Sequence, residues 1–255
     1  MIVIGLGSGR TGTASLARLI DSQPHALCFH ELNPAGAVFA GNPQPVCNTI
    51  REFQAILAGG DKRLLALDYT RPMSVKTYTR LQTMNQVRIL GDIAFYYLRY
   101  IDDLLSITDN IRFICIRRDK QETVESWLEK SSMHRWRSLW IADWFKSLIT
   151  RTPFHRSKNF WQEHDGTEYQ PDPVWDKTFP KFEAVSKREA IEKYWDYYYA
   201  EAEQLATQHP EHFRIFDISE MSHPAGQKNI LGFIGIPKHE MVLRDKFHEH
   251  QSGRK

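Results

Sequence analysis

The first sixteen residues read MIVIGLGSGRTGTASL, and the spacing of their glycines and hydroxyls suits the binding of a phosphate or sulfate. Gly5, Gly7, Gly9 and Gly12 let a backbone turn sharply and approach a ligand. Thr11, Thr13 and Ser15 add hydroxyls where a helix N-terminus already offers unpaired N–H groups. Three loop chemistries compete for this segment. A phosphate loop of the GxxxxGK[ST] type fails, because Thr13 follows Gly12 where a lysine must reach the outer phosphates. Gly7-Ser8-Gly9-Arg10-Thr11-Gly12 matches GxGxxG letter for letter. Glu31 follows near the ~20-residue offset of a ribose-binding acid, so a dinucleotide remains open on this segment alone. The third chemistry keys on Arg10-Thr11-Gly12-Thr13, a cation and two hydroxyls around one glycine.

A second segment, Ile111 to Trp127 (IRFICIRRDKQETVESW), runs from a strand-like apolar stretch into Arg117 and Arg118 and then into a helical pattern that carries Ser126. An arginine grips a phosphate through two parallel N–H bonds, and a helix serine adds a hydroxyl. Together the two segments resemble the nucleotide motifs of sulfotransferases that use 3'-phosphoadenosine 5'-phosphosulfate (PAPS). Arg10 to Thr13 matches the 5'-phosphosulfate loop, and Arg118 with Ser126 has the spacing of the 3'-phosphate motif; Arg117 has no serine at that offset. The resemblance implies PAPS as co-substrate and no metal. It assigns Gly9, Arg10, Thr11, Gly12, Thr13, Ala14 and Ser15 to the phosphosulfate side and Arg118 and Ser126 to the 3'-phosphate. Trp175 to Phe182 and Tyr194 to Tyr199 also resemble bacterial members, by general likeness. One departure is at the end of the chain, where Arg244 to Lys255 lacks the RKGxxG loop of the cytosolic branch.

Sulfuryl transfer needs in-line positioning, positive charge at the departing phosphate and a base for the acceptor's proton. Arg10 takes the place of the cytosolic branch's catalytic lysine, and as a permanently charged group it would meet the charge growing on the bridging oxygen. Asp92 is the first choice of base, because Val87 to Asp92 lies where the family's strand ends in a catalytic histidine; its alternative role is to cap a helix starting at Ile93. His30 is the rival base, with an intrinsic pKa nearer neutral. Glu31 ranks third, and Asp68 reads as a loop carboxylate. Trp127, Trp136, Trp140, Trp144 and Trp161, with Arg135, Arg137 and Lys146, can line an acceptor pocket or stack an adenine. The spacing of Trp136, Trp140 and Trp144 favours packing, and Trp195 to Tyr199 reads as core.

These residues need a frame to hold them. Short apolar runs alternating with amphipathic stretches predict an α/β fold, a mostly parallel central sheet flanked by helices, which is the P-loop-like fold that the resemblance also implies. Strands are expected near 1–5, 25–29, 63–68, 87–91, 111–117 and 213–217. Helices are expected near 12–22, 48–58, 75–84, 93–107, 119–130, 134–149, 187–208 and 225–234. In open parallel sheets ligands bind beyond the carboxyl ends of the strands, and the candidates fall at such ends. Residues 150–186, with Pro153, Pro171, Pro173 and Pro180, break the rhythm and read as an acceptor-side insertion in a single domain spanning 1–255.

With 33 basic and 31 acidic residues the net charge is +2, without the lopsided field of a dedicated nucleic-acid binder. Cys28, Cys47 and Cys115 share no CxxC-type spacing, so neither a disulfide framework nor a zinc site is expected. The opening core strand leaves no room for a signal peptide, and no apolar run approaches the ~18 residues of a membrane span. The expectation is a cytoplasmic enzyme acting on a small-molecule, glycan or lipid acceptor. The competing classes are an NAD(P)-binding oxidoreductase or nucleotide-dependent kinase sharing the glycine-rich loop, and a nucleotide sensor without turnover.

Overall fold

In this computed structural model the structure describes residues 1–32, 38, 41–65, 67, 69, 72–132, 145, 148–149, 182 and 184–244. Among them the chain runs β1 (Ile2–Leu6), α1 (Thr13–Asp21), β2 (Ala26–His30), α2 (Gln44–Leu57), α3 (Pro72–Thr83) and β3 (Ile89–Ile93). After a 3-10 turn at Phe95–Tyr100 follow α4 (Ile101–Leu105), β4 (Ile111–Arg117), α5 (Lys120–Ser132), α6 (Lys187–Gln208), β5 (Phe213–Asp217) and α7 (Pro224–Phe233). A second 3-10 turn, Ile218–Ser222, separates the last two.

The described strands form one five-stranded, wholly parallel sheet in the order β2-β3-β1-β4-β5. Both faces are covered, which is why the strands are apolar at nearly every position. Ile2, Ile4, Leu6, Phe113 and Cys115 point into the core beneath α2, α5 and α6, while Val3, Ile114 and Ile116 point into the one beneath α1 and α7. The expected α/β fold is the one observed. From β1 the chain passes to one side of the sheet, and from β4 to the other. The strand order therefore reverses between these two neighbours, and the crevice beyond their carboxyl ends is where an open α/β sheet binds ligands.

Two expected elements differ. The run at 63–68 contributes no strand among its described residues: Leu64 and Leu67 are buried while Leu65 is exposed, and the Leu65 N–H donates to the Glu52 carboxylate of α2 at 3.2 Å instead of to a neighbouring strand. Leu64 and Leu67 join the core while the chain between them is tied to α2 by that bond. The helix expected at 93–107 begins later, because Ile93 still belongs to β3 and Ala94 is extended, and it is split into the 3-10 turn and α4. Asp68, Trp136, Trp140, Trp144, Trp161, Arg135, Arg137, Lys146, most of 134–149 and of the 150–186 insertion, and 245–255 lie outside the described residues.

Candidate active site

The loop between β1 and α1 is held in an uncommon backbone path. Gly9 has φ 84°, Gly12 has φ 82°, and Arg10, a non-glycine residue, has φ 60°. A left-handed arginine is disfavoured and must be held by its surroundings; here the Arg10 carbonyl accepts a bond from Arg118 Nη1 at 3.2 Å. Gly9 is required twice over, since besides its φ a Cβ there would lie 2.5 Å from the Trp127 ring. Gly12 serves as the N-cap of α1 without a side-chain cap, and the first turn carries no acid. The positive end of α1 thus carries neither a side-chain cap nor an acid of its own, a feature shared with helix N-termini that bind phosphate groups.

Arg10 Nε donates to Ser126 Oγ at 3.0 Å, and Arg118 reaches back to the Arg10 backbone, so the two sequence segments meet as one hydrogen-bonded unit beyond β1 and β4. Burial, and then the nearby charge of Arg118, pulls the Arg10 pKa down, while Glu129 opposes them. Arg118 is steadied by Glu122 of the first turn of α5, whose Oε2 accepts from its Nε at 2.9 Å. Thr11 is fully buried, and its Oγ1 has no partner at hydrogen-bond geometry, although it lies near enough to the Tyr199 hydroxyl to influence it. Ala14 and the buried Ser15 complete the first turn of α1.

The floor of the loop comes from α6, whose aromatic run the sequence reading takes for core. Tyr198 and Tyr199 are indeed buried, yet their hydroxyls do specific work. Gly7 N–H donates to the Tyr198 hydroxyl at 3.0 Å, and that hydroxyl donates to the Phe95 carbonyl at 3.1 Å. Tyr199 donates to the Ile116 carbonyl at 2.8 Å, and Trp195 Nε1 donates to the Arg118 carbonyl at 3.2 Å. One helix thereby fixes both the loop after β1 and the end of β4. Its sequence signal is the spacing of Trp195, Tyr198 and Tyr199, three and four apart on one face with polar tips. Trp127, a candidate to line an acceptor pocket or stack an adenine, lies against Gly9 of the loop.

The carboxylate candidates separate sharply. Asp92 lies inside β3 with no exposed surface, and Ala94 is the N-cap of the turn that follows, which corrects the helix-capping expectation for Asp92. Its oxygens accept the Leu32 N–H at 3.1 and 3.2 Å and the Tyr97 hydroxyl at 2.8 Å. Burial pushes its pKa up to about 6, against the lowering effect of those hydrogen bonds. His30, at the carboxyl end of β2, is half-buried, and its Nε2 stands 3.1 Å from Thr13 Oγ1 at the open end of α1. The structure therefore places His30, and not Asp92, beside the first turn of α1. Glu31 follows it in a left-handed conformation, φ 54°, with its N–H on the Ile93 carbonyl at 3.0 Å.

Among the described residues no group of three or more His, Cys, Asp or Glu side chains is placed to hold a metal ion, and no helix is long and apolar enough to cross a membrane. No protein-family model matches this chain, and no curated protein matches its sequence. Among solved structures it is similar to the sulfotransferase from Alicyclobacillus acidocaldarius, at 14% identity over 98% of this chain and 86% of that one, with a TM-score of 0.42. The likeness is weak, and the site's own geometry carries the functional reading.

Proposed function

We propose that this protein is a PAPS-dependent sulfotransferase, a single-domain cytoplasmic enzyme that moves a sulfuryl group from PAPS to an acceptor hydroxyl or amine. The observation that carries the reading is the convergence of Arg10, Arg118 and Ser126 beside the uncapped N-terminus of α1. A donor with phosphate at both ends of its ribose suits such a site. The N–H groups and hydroxyls of residues 9–15 receive the phosphosulfate end, and Arg118 and Ser126 receive the 3'-phosphate. An NAD-type reading of the glycine loop leaves Arg118 and Ser126 without a task, and a kinase reading lacks its lysine.

In the transfer, the acceptor oxygen attacks sulfur as the bond from sulfur to the bridging oxygen breaks, and the leaving nucleotide departs as an anion. Arg10 meets the charge that grows on the phosphate, where a fixed cation in a partly desolvated site is most effective. The acceptor's proton passes to His30 Nε2, the nitrogen that faces Thr13.

Turnover tests the proposal. The protein is incubated with PAPS and a panel of phenols, sugars, lipids and amines, and release of 3'-phosphoadenosine 5'-phosphate (PAP) is followed. Acceptor-stimulated release supports transfer, whereas tight nucleotide binding with no release under any acceptor favours a sensor.

A further inference from the structure

Asp92 is a fully buried carboxylate that the transfer chemistry does not use, and its bonds lead to the residue that the chemistry does use. Leu32, whose N–H spans both Asp92 oxygens at 3.1 and 3.2 Å, lies two positions beyond His30. Between them Glu31 adopts φ 54°, and its N–H is taken by the Ile93 carbonyl at 3.0 Å. Two successive amides leaving β2 are thus tied to the end of β3, one by backbone and one by the Asp92 side chain. A glutamate in the left-handed region does not hold that turn on its own account. Within β2 and β3, His30 is in register with Ile93, the residue after Asp92.

The carboxylate is itself held from the other side. The Tyr97 hydroxyl donates to Oδ2 at 2.8 Å, and the Tyr96 hydroxyl stands 3.4 Å from the same oxygen. Both phenols come from the 3-10 turn that follows β3. Two oxygens thus serve three donors from two segments, which an amide, with one oxygen and an NH2 group, does not do.

We propose that Asp92 is a positioning residue for the transfer reaction: it fixes the left-handed turn after β2 so that the His30 imidazole is presented to Thr13 at the anion-binding end of α1. This assignment rests on the sulfotransferase reading for its purpose, and on the turn alone for its structural content. It also explains why a charge-bearing group is retained where burial disfavours it, since only an acceptor-rich side chain satisfies the buried Leu32 N–H and the phenols together.

The test uses the full chain and reads the His30 ring directly. Nitrogen-edited NMR of the imidazoles, with the His30 signals assigned by their loss in His30→Gln, is recorded for the unmodified protein, Asp92→Asn and Tyr97→Phe. The expected result is a hydrogen-bonded, single-tautomer His30 in the unmodified protein, a shift toward a free imidazole in Asp92→Asn, and a smaller shift in the same direction in Tyr97→Phe. In turnover, Asp92→Asn should lose kcat by about 10²-fold, the scale of a misplaced catalytic group, with the KM for PAPS unchanged. Unchanged His30 signals in both variants, or a loss of PAPS affinity as large as the loss of kcat, overturn the proposal. Tyr97→Phe keeps the carboxylate in place and decides the matter if Asp92→Asn does not fold. The ring spectrum needs no nucleotide, so a protein that fails to bind PAP contradicts the sulfotransferase reading without touching this result.

Discussion

Arg10 and Ser126, 116 positions apart in sequence, are joined by a hydrogen bond of 3.0 Å from the guanidinium Nε to the serine hydroxyl. The bond crosses from the loop after β1 to the helix after β4, the two neighbouring strands at which the sheet order reverses. Under the proposed function, a phosphate of the nucleotide meets both groups and Arg118 in that crevice.

If Arg10 meets charge that exists only in the transition state, Arg10→Ala should lower the single-turnover rate by about 10²-fold or more, with a much smaller loss of nucleotide affinity. Arg10→Lys should keep part of the rate, because a cation remains although its reach to Ser126 changes. Rapid-quench measurement of PAP formation separates these outcomes, and weaker binding at an unchanged rate would move Arg10 to ground-state anchoring.

The Tyr198 hydroxyl links the Gly7 N–H to the Phe95 carbonyl in a buried position. Tyr198→Phe leaves both backbone groups without that partner and should cost about 1–3 kcal/mol of unfolding free energy in urea titrations. The nucleotide affinity should fall with it, since Gly7 begins the loop. A variant with unaltered stability and binding would remove Tyr198 from the loop's support.

Asp92 also sets a pH dependence whose sign is fixed by the direction of its shift. Its pKa in the folded protein is raised from 3.8 to about 6 by burial, so the fold favours the protonated form, and this contribution is present in full below pH ~4 and lost as pH rises through about 6. Relative to Asp92→Asn, the unmodified protein should therefore gain about 2 kcal/mol between pH 7 and pH 4. Parallel denaturation curves for the two proteins at these pH values check the difference. No change in the gap between them would mean that the carboxyl ionises in the fold as it does in the unfolded chain.

Much of this architecture is legible in the sequence because the information is local. Apolar strands buried on both faces, a glycine loop before a helix, and Arg118 and Ser126 at their spacing are patterns within short windows. The partnerships are not local. Nothing near Asp92 in sequence announces that Leu32 needs its two oxygens, and an Asp before an apolar turn reads equally well as a base or a cap. Tyr198 and Tyr199 look like core residues because they are buried, and only the fold shows which backbone groups their hydroxyls satisfy. The run at 63–68 has strand composition, but the Leu65 N–H finds its partner on Glu52 of α2, and composition alone does not say where a backbone donor goes.

The most direct measurement of the proposed nucleotide specificity is the ratio of PAP to AMP affinity, by titration calorimetry at fixed salt, for the unmodified protein and for Arg118→Ala. The two ligands differ only in the 3'-phosphate assigned to Arg118 and Ser126. A charge-assisted contact of this kind is worth about 1.5–3 kcal/mol, so PAP should bind roughly ten- to a hundredfold more tightly than AMP. Arg118→Ala should abolish most of that preference, with a smaller loss of AMP affinity because Arg118 also holds the Arg10 carbonyl. Equal affinities for PAP and AMP in the unmodified protein would contradict the assignment of this site to a 3'-phosphorylated nucleotide.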